Sequence, residues 1–236
     1  TAYGVDLVHC AELIIMTRAT NIGLLALLLL VVQGMSHAQG ADPGPTPTVG
    51  TEYYVTFLPS DNGAGAKFLG LLVSAQTATR VDVSIPNGDG TETVKGYDVM
   101  PDQIVTIPIP ASVIPPYLEE VARLGVHVTS RAPIALYAIN DRYQSVGATP
   151  VVPVNRWGLS YLPTTLPNAF GSMTGTLSIV AAYDSTVVTI VPSTKILFQD
   201  AGRERTITLN RGDVFLIKAA EGNPGSADLS GTEIVS

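Results

Sequence analysis

The sequence predicts an all-β protein of two tandem β-sandwich-like units, the second lacking its last strand. Three observations carry that prediction. First, residues 69–86, LGLLVSAQTATRVDVSIP, return in pattern as residues 176–192, TLSIVAAYDSTVVTIVP. In each, an apolar run ends at Ala75 or Ala182, mostly polar residues follow, and a Val-rich alternating run stops at a proline, the mark of strand, tight turn, strand. Second, neighbouring signals keep nearly the same spacing: Val73 stands 107 residues before Val180, Tyr53 108 before Tyr161, Asp102 110 before Gly212, and Gly125 106 before Gly231. Four matches in one order, drifting by a few residues, describe a duplicated unit of about 100 residues. Third, 46% of residues are hydrophobic and only 14% charged, which supplies apolar surface for packed cores, while 17 prolines and 22 glycines punctuate short Val/Ile/Leu runs. That is the composition of many strands joined by turns.

Along the chain, residues 16–38 read as a secretory signal peptide. Arg18 gives a positive lead, residues 22–32 form an 11-residue apolar run, and Ser36-His37-Ala38 is a small-x-small cleavage site. The run is well short of the roughly 20 residues that cross a bilayer, so no membrane span is expected after cleavage. Residues 1–15 precede Met16 and read as upstream translation foreign to the mature chain. Residues 39–48, QGADPGPTPT, form a Pro/Gly-rich linker.

The first unit spans residues 49–143. Alternating aromatic and β-branched residues place a strand at 52–58. Further strands are expected at 67–75, 79–85, 94–98 and 104–107, with Asn87-Gly88-Asp89-Gly90 as a hairpin tip. Four prolines interrupt the sheet at 108–116, and residues 117–123, YLEEVAR, read as a helical turn with Glu119 and Glu120 on its solvated face. Strands at 125–130 and 133–140 close the unit; the second is apolar on both faces and so belongs inside a sheet. The second unit spans 144–236, with a short edge strand at 151–154 and strands at 157–162, 175–183, 186–191, 195–198, 205–209, 213–219 and 233–235. The position equivalent to its closing strand falls beyond Ser236.

Gly50-Thr51-Glu52-Tyr53-Tyr54-Val55, Leu72-Val73-Ser74-Ala75, Ile104-Val105-Thr106-Ile107-Pro108 and Gly125-Val126-His127-Val128-Thr129-Ser130 with Ala132-Pro133-Ile134-Ala135-Leu136-Tyr137-Ala138 resemble the amino-terminal domain of the IgG Fc-binding protein family. Thr186-Val187-Val188-Thr189-Ile190, Leu209-Asn210-Arg211-Gly212-Asp213 and Leu229-Ser230-Gly231-Thr232 continue the resemblance. It covers about residues 49–236. It implies a secreted or surface-bound bacterial protein with a binding or adhesive role, and a protein or glycan ligand at a cell surface or in mucus.

Residue types narrow the chemistry. Net charge is −7, or −6 with 18 acids against 12 bases once Asp6, Glu12 and Arg18 are removed, and no basic run is interleaved with aromatics, so nucleic acid is not an expected partner. The single cysteine is Cys10 and the only histidine of the mature chain is His127. No thiol or histidine metal cluster can form from these, and no cofactor motif occurs. A Ser-His-Asp engine would have to use His127; alternation places it opposite the valines of its strand, as a surface histidine. Asp61-Asn62-Gly63 and Asn87-Gly88-Asp89-Gly90 carry oxygen ligands without the spacing of a calcium loop and read as turns.

Arg211-Gly212-Asp213 is the integrin-recognition tripeptide at an expected hairpin tip. Exposed aromatics among Tyr53, Tyr54, Tyr97, Tyr117, Tyr137, Tyr143, Trp157, Tyr161 and Tyr183 would stack on sugars or anchor a partner, with Tyr53 and Tyr161 expected to pack in the two cores. No catalytic, cofactor or metal residue is assigned. The sequence therefore points to a non-enzymatic binding protein; the alternatives are a carbohydrate-binding module pair of a larger secreted enzyme, or a structural spacer.

Overall fold

The computed structural model describes residues 48–59, 68–141, 146–167, 174–220 and 226–236. The expected signal peptide, the segment before it, most of the linker, Asp61-Asn62-Gly63 and Tyr143 lie outside these residues. The fold is almost entirely β, in curled antiparallel sheets, and the described residues contain no α-helix.

A seven-stranded sheet is formed by β1 (Val49–Val55), β2 (Phe68–Ala75), β3 (Thr79–Pro86), β4 (Glu92–Val99), β5 (Ile104–Ile109), β7 (Val126–Asp141) and β8 (Val146–Pro150). Its spine is β7. Along one edge β7 pairs first with β3 (Val83 opposite Val128) and then with β2 (Val73 opposite Leu136); along the other it pairs with β1 and then β8. Strands β4 and β5 lie outside β3 and β2. The sheet curls so that Leu71 and Val73 of β2, Val81 and Val83 of β3, and Ile134 and Leu136 of β7 fill one core, all fully buried. Burial of each such side chain stabilises by about 1.5–3 kcal/mol.

The strands expected at 125–130 and 133–140 are thus one strand of 16 residues. Pro133 lacks an N–H, yet it sits where the ladder is interrupted: residues 131–133 pair on neither edge, so no bond is lost there.

The second half holds a three-stranded sheet, β10 (Thr176–Val180), β13 (Asp213–Lys218) and β6 (Val121–Arg123), and a four-stranded sheet, β12 (Arg205–Leu209), β11 (Thr186–Val191), β14 (Glu233–Val235) and β9 (Ser160–Tyr161). Leu177, Phe215 and Ile217 of the one, with Val188, Ile190, Leu209 and Ile234 of the other, form a second core. The neighbours β12-β11-β14-β9 follow the same sequence of pairings as β4-β3-β7-β1. Val83 faces Val128 and Lys95 where Ile190 faces Ile234 and Arg205, and Tyr53 faces Val128 where Tyr161 faces Ile234. Strand β2 is held by both β5 and β7, whereas β10 pairs with β13 alone among the described residues.

Several sequence expectations are corrected. The turn from β2 to β3 is shorter than that from β10 to β11. Val73 pairs with Val105 in the first core, and Ile179 pairs with Phe215 beside the second. Val180 packs with Tyr54, Val154 and Ala182. Residues 117–123 are not helical: Pro115 and Pro116 precede them, Glu119 takes φ 47°, and Val121–Arg123 is β6, paired with β13. The edge strand expected at 151–154 is displaced to β8, and a 3-10 turn, Val154–Arg156, follows Pro153. Within 195–198 only Ile196 makes bridges, to Gln199 and Ala219.

Candidate functional site

Of the groups that sequence singles out, Tyr54, His127 and the Arg211-Gly212-Asp213 turn come together where the two halves meet. Alternation along β1 sends Tyr53 into the first core and Tyr54 out of the opposite face. On that face Tyr54 is in register with His127 of β7, and their rings stack at 4.3 Å with an interplanar angle of 8°. His127 Nε2 lies 3.0 Å from Glu52 Oε1. Beyond it, the Ser84 hydroxyl donates to Glu92, whose other carboxylate oxygen accepts from Arg123 Nη2 at 2.9 Å. Arg123 Nη1 then donates to the Arg211 carbonyl at 3.2 Å, reaching the second half. The hydrogen bond from Ser84, and then Arg123, hold the Glu92 carboxyl below its ordinary range, whereas burial is the main cause pushing the Tyr54 phenol up. His127 does face away from Val126 and Val128, as alternation requires, but it is half-buried against Tyr54 rather than free at the surface.

The tripeptide Arg211-Gly212-Asp213 closes this junction. Gly212 is buried at φ 79° and its carbonyl accepts from Gly125 N–H at 2.9 Å. A Cβ on Gly125 would stand 2.9 Å from that same carbonyl oxygen and from Val180 Cγ2, so Gly125 is needed for this close approach, while Gly212 is needed for its positive φ. Arg211 N–H donates to Asp184, and the Asp213 carboxylate accepts from Asn210 N–H at 2.8 Å, capping the turn. Tyr54, Val154, Ala182 and the flanking Trp157 and Val180 form a small apolar cluster beneath it.

Glu119 reverses its expected placement. It is a buried carboxylate, 4% exposed, with Oε2 3.0 Å from Arg205 Nη1 and Oε1 accepting from Leu197 N–H at 2.8 Å. The Arg205 guanidinium lies 5.0 Å over the Phe215 ring. Nothing in YLEEVAR distinguishes Glu119 from the exposed Glu120, since the left-handed backbone that turns it inward is set by tertiary packing. At the hairpin tip, Asp89 accepts from Thr91 N–H at 2.9 Å and from Thr91 Oγ1 at 2.6 Å, which lowers its carboxyl, so its oxygens serve the turn. Among the described residues no three acidic, histidine or cysteine side chains are arranged to hold a metal ion.

The tyrosines scatter. Tyr53 is fully buried and its hydroxyl donates to the Ile134 carbonyl, but Tyr161, expected to match it, lies on the two-residue β9 and is 43% exposed. Tyr117 sits under Lys218, and Tyr137 and Tyr183 are exposed on β7 and on the β10–β11 turn.

Fold and site together define an all-β protein whose polar groups at the junction are engaged with one another. Residues 147–236 match the family described as IgGFc binding protein. The family is named for binding, not for a reaction. No curated protein matches the chain. The crystal structure of Thermotoga maritima 1070 is similar at 10% identity with a TM-score of 0.29, over 43% of this chain and 91% of that one. No described helix is long and apolar enough to cross a membrane, which says nothing of a β-barrel.

Proposed function

We propose that the protein is a secreted, non-enzymatic binding protein that acts by adhesion at a cell surface or in mucus, with a protein or glycan as ligand. The observation that carries this reading is the match of residues 147–236 to a family described by the IgG Fc segment it binds. The signal-peptide pattern at 16–38 supports export. The engagement of His127 with Glu52 and Tyr54 supports a role in holding the junction rather than in proton transfer. We also propose that residues 49–143 and 144–236 descend from one duplicated unit, which the shared pairing order of β4-β3-β7-β1 and β12-β11-β14-β9 supports.

Surface plasmon resonance of the full chain over immobilised IgG Fc and over purified mucin tests the function. Saturable binding to either surface is expected. Absence of binding to both contradicts the reading.

A further inference from the structure

Where the ladder of β7 is interrupted at residues 131–133, Arg131 and Ala132 line a cleft of about 340 Å³ with the start of β3 and the end of β4. Its walls include Ala78, Arg80, Asp98, Met100, Arg131 and Ala132. Both polar backbone groups of Ala132 are satisfied from within: its N–H donates to Thr79 Oγ1 at 3.0 Å, and Ser130 Oγ donates to its carbonyl at 2.7 Å. The walls are therefore braced by their own bonds.

Two guanidinium groups face this space with different engagements. Arg80 lies across β4 over Gly96, where a Cβ would stand 1.9 Å from Arg80 Nη2. It is shared between Asp82 at 3.4 Å and Asp98 at 3.5 Å. Arg131 has no ion-pair or hydrogen-bond partner among the described residues.

We propose that this cleft binds a carboxylate-bearing sugar residue, a hexuronate or similar acid, of an extracellular glycan. The proposal deepens the binding reading above and rests on it for where the ligand is met. Arg131 supplies the planar fork that takes a carboxylate through two parallel hydrogen bonds. Asp98 accepts hydroxyl donors, which a simple anion does not offer. Met100, Ala78 and Ala132 give an apolar wall for the C–H face of a pyranose ring, and the volume is at the small end of ligand pockets, the scale of a sugar residue. Asp82 and Asp98 beside the site favour a singly charged carboxylate over a doubly charged phosphate.

Titration of the full chain with sodium glucuronate, followed by calorimetry, tests this independently of Fc or mucin binding. Saturable millimolar binding is expected, weakened at least tenfold by Arg131→Gln and unchanged by Arg203→Gln, which removes an exposed cation outside the cleft. Met100→Ala should weaken it several-fold, a second variant that leaves the charges in place. Glucuronamide and acetate, which lack the charge and the ring respectively, should each bind at least tenfold more weakly. No saturable binding, equal binding by the Arg131→Gln protein, or equal binding of glucuronamide overturns the proposal; acetate binding as tightly as glucuronate overturns its sugar part. Failure here with intact Fc or mucin binding rejects the cleft alone, whereas failure of Fc and mucin binding with intact glucuronate binding rejects the broader reading.

Discussion

Glu119 stabilises the molecule through three partners at once: the Arg205 guanidinium, the Leu197 amide and, through Arg205, the Phe215 ring. Removing one member of a buried pair leaves the other uncompensated. Because Arg205 keeps some contact with water, Glu119→Ala is expected to cost about 2–3 kcal/mol in urea denaturation, and Glu119→Gln, which keeps an acceptor for Leu197, distinctly less. Equal stability of the wild-type and Glu119→Ala proteins would show that this pair does not stabilise the fold. Tyr53 gives a pH signature. Burial pushes its phenol up to about 12, so the folded state holds the proton more tightly than the unfolded chain, whose tyrosine titrates near 10. The contribution is complete below pH 10 and is lost as pH rises towards 12, by about 2–3 kcal/mol in all. Tyr53→Phe should flatten the alkaline limb of the stability curve, while costing about 1 kcal/mol at neutral pH through loss of the bond to the Ile134 carbonyl.

At the scale of elements, what the sequence reveals follows from how local each signal is. Alternation locates β3, β11, β12 and β14 within a residue or two, because Val81, Val83 and Val188, Ile190 each face a core at every second position. It divides β7 at Pro133, since proline ordinarily ends a strand, and only the long-range exchange of β3 for β2 makes that position harmless. YLEEVAR reads as a helical turn because Leu, Glu, Ala and Arg favour helices; pairing of Val121–Arg123 with β13 overrides that preference. The sequence marks His127 and Arg211-Gly212-Asp213 by residue type, yet their assembly into one junction needs contacts about 75 to 90 residues apart, which no local pattern carries. The turn itself is testable. Gly125→Ala should destabilise by about 1–3 kcal/mol through the clash with the Gly212 carbonyl. Asp213→Glu, which keeps the charge and moves the cap, should leave any attachment of integrin-bearing cells unchanged, because Gly212 is buried against the first half. Loss of attachment with this variant would show that the tripeptide is read from outside.

At the scale of the whole molecule, the two halves are interlocked rather than strung together. Strand β6 precedes the spine of the first sheet in sequence yet pairs in the second half, Thr56 Oγ1 meets Ser178 Oγ at 3.0 Å, and the Glu92–Arg123–Arg211 chain crosses between them. The histidine, the stacked tyrosine and the polar contacts at the junction bind the two halves into one cooperative body. Trp157, the sole tryptophan, packs at that junction and donates from Nε1 to the Val152 carbonyl at 2.9 Å. Its fluorescence therefore reports the junction while far-UV circular dichroism reports the sheets. In urea the two probes should trace one coincident transition, and Arg123→Ala should shift both midpoints together. A tryptophan transition that precedes loss of the sheets in the wild-type chain would contradict this cooperativity.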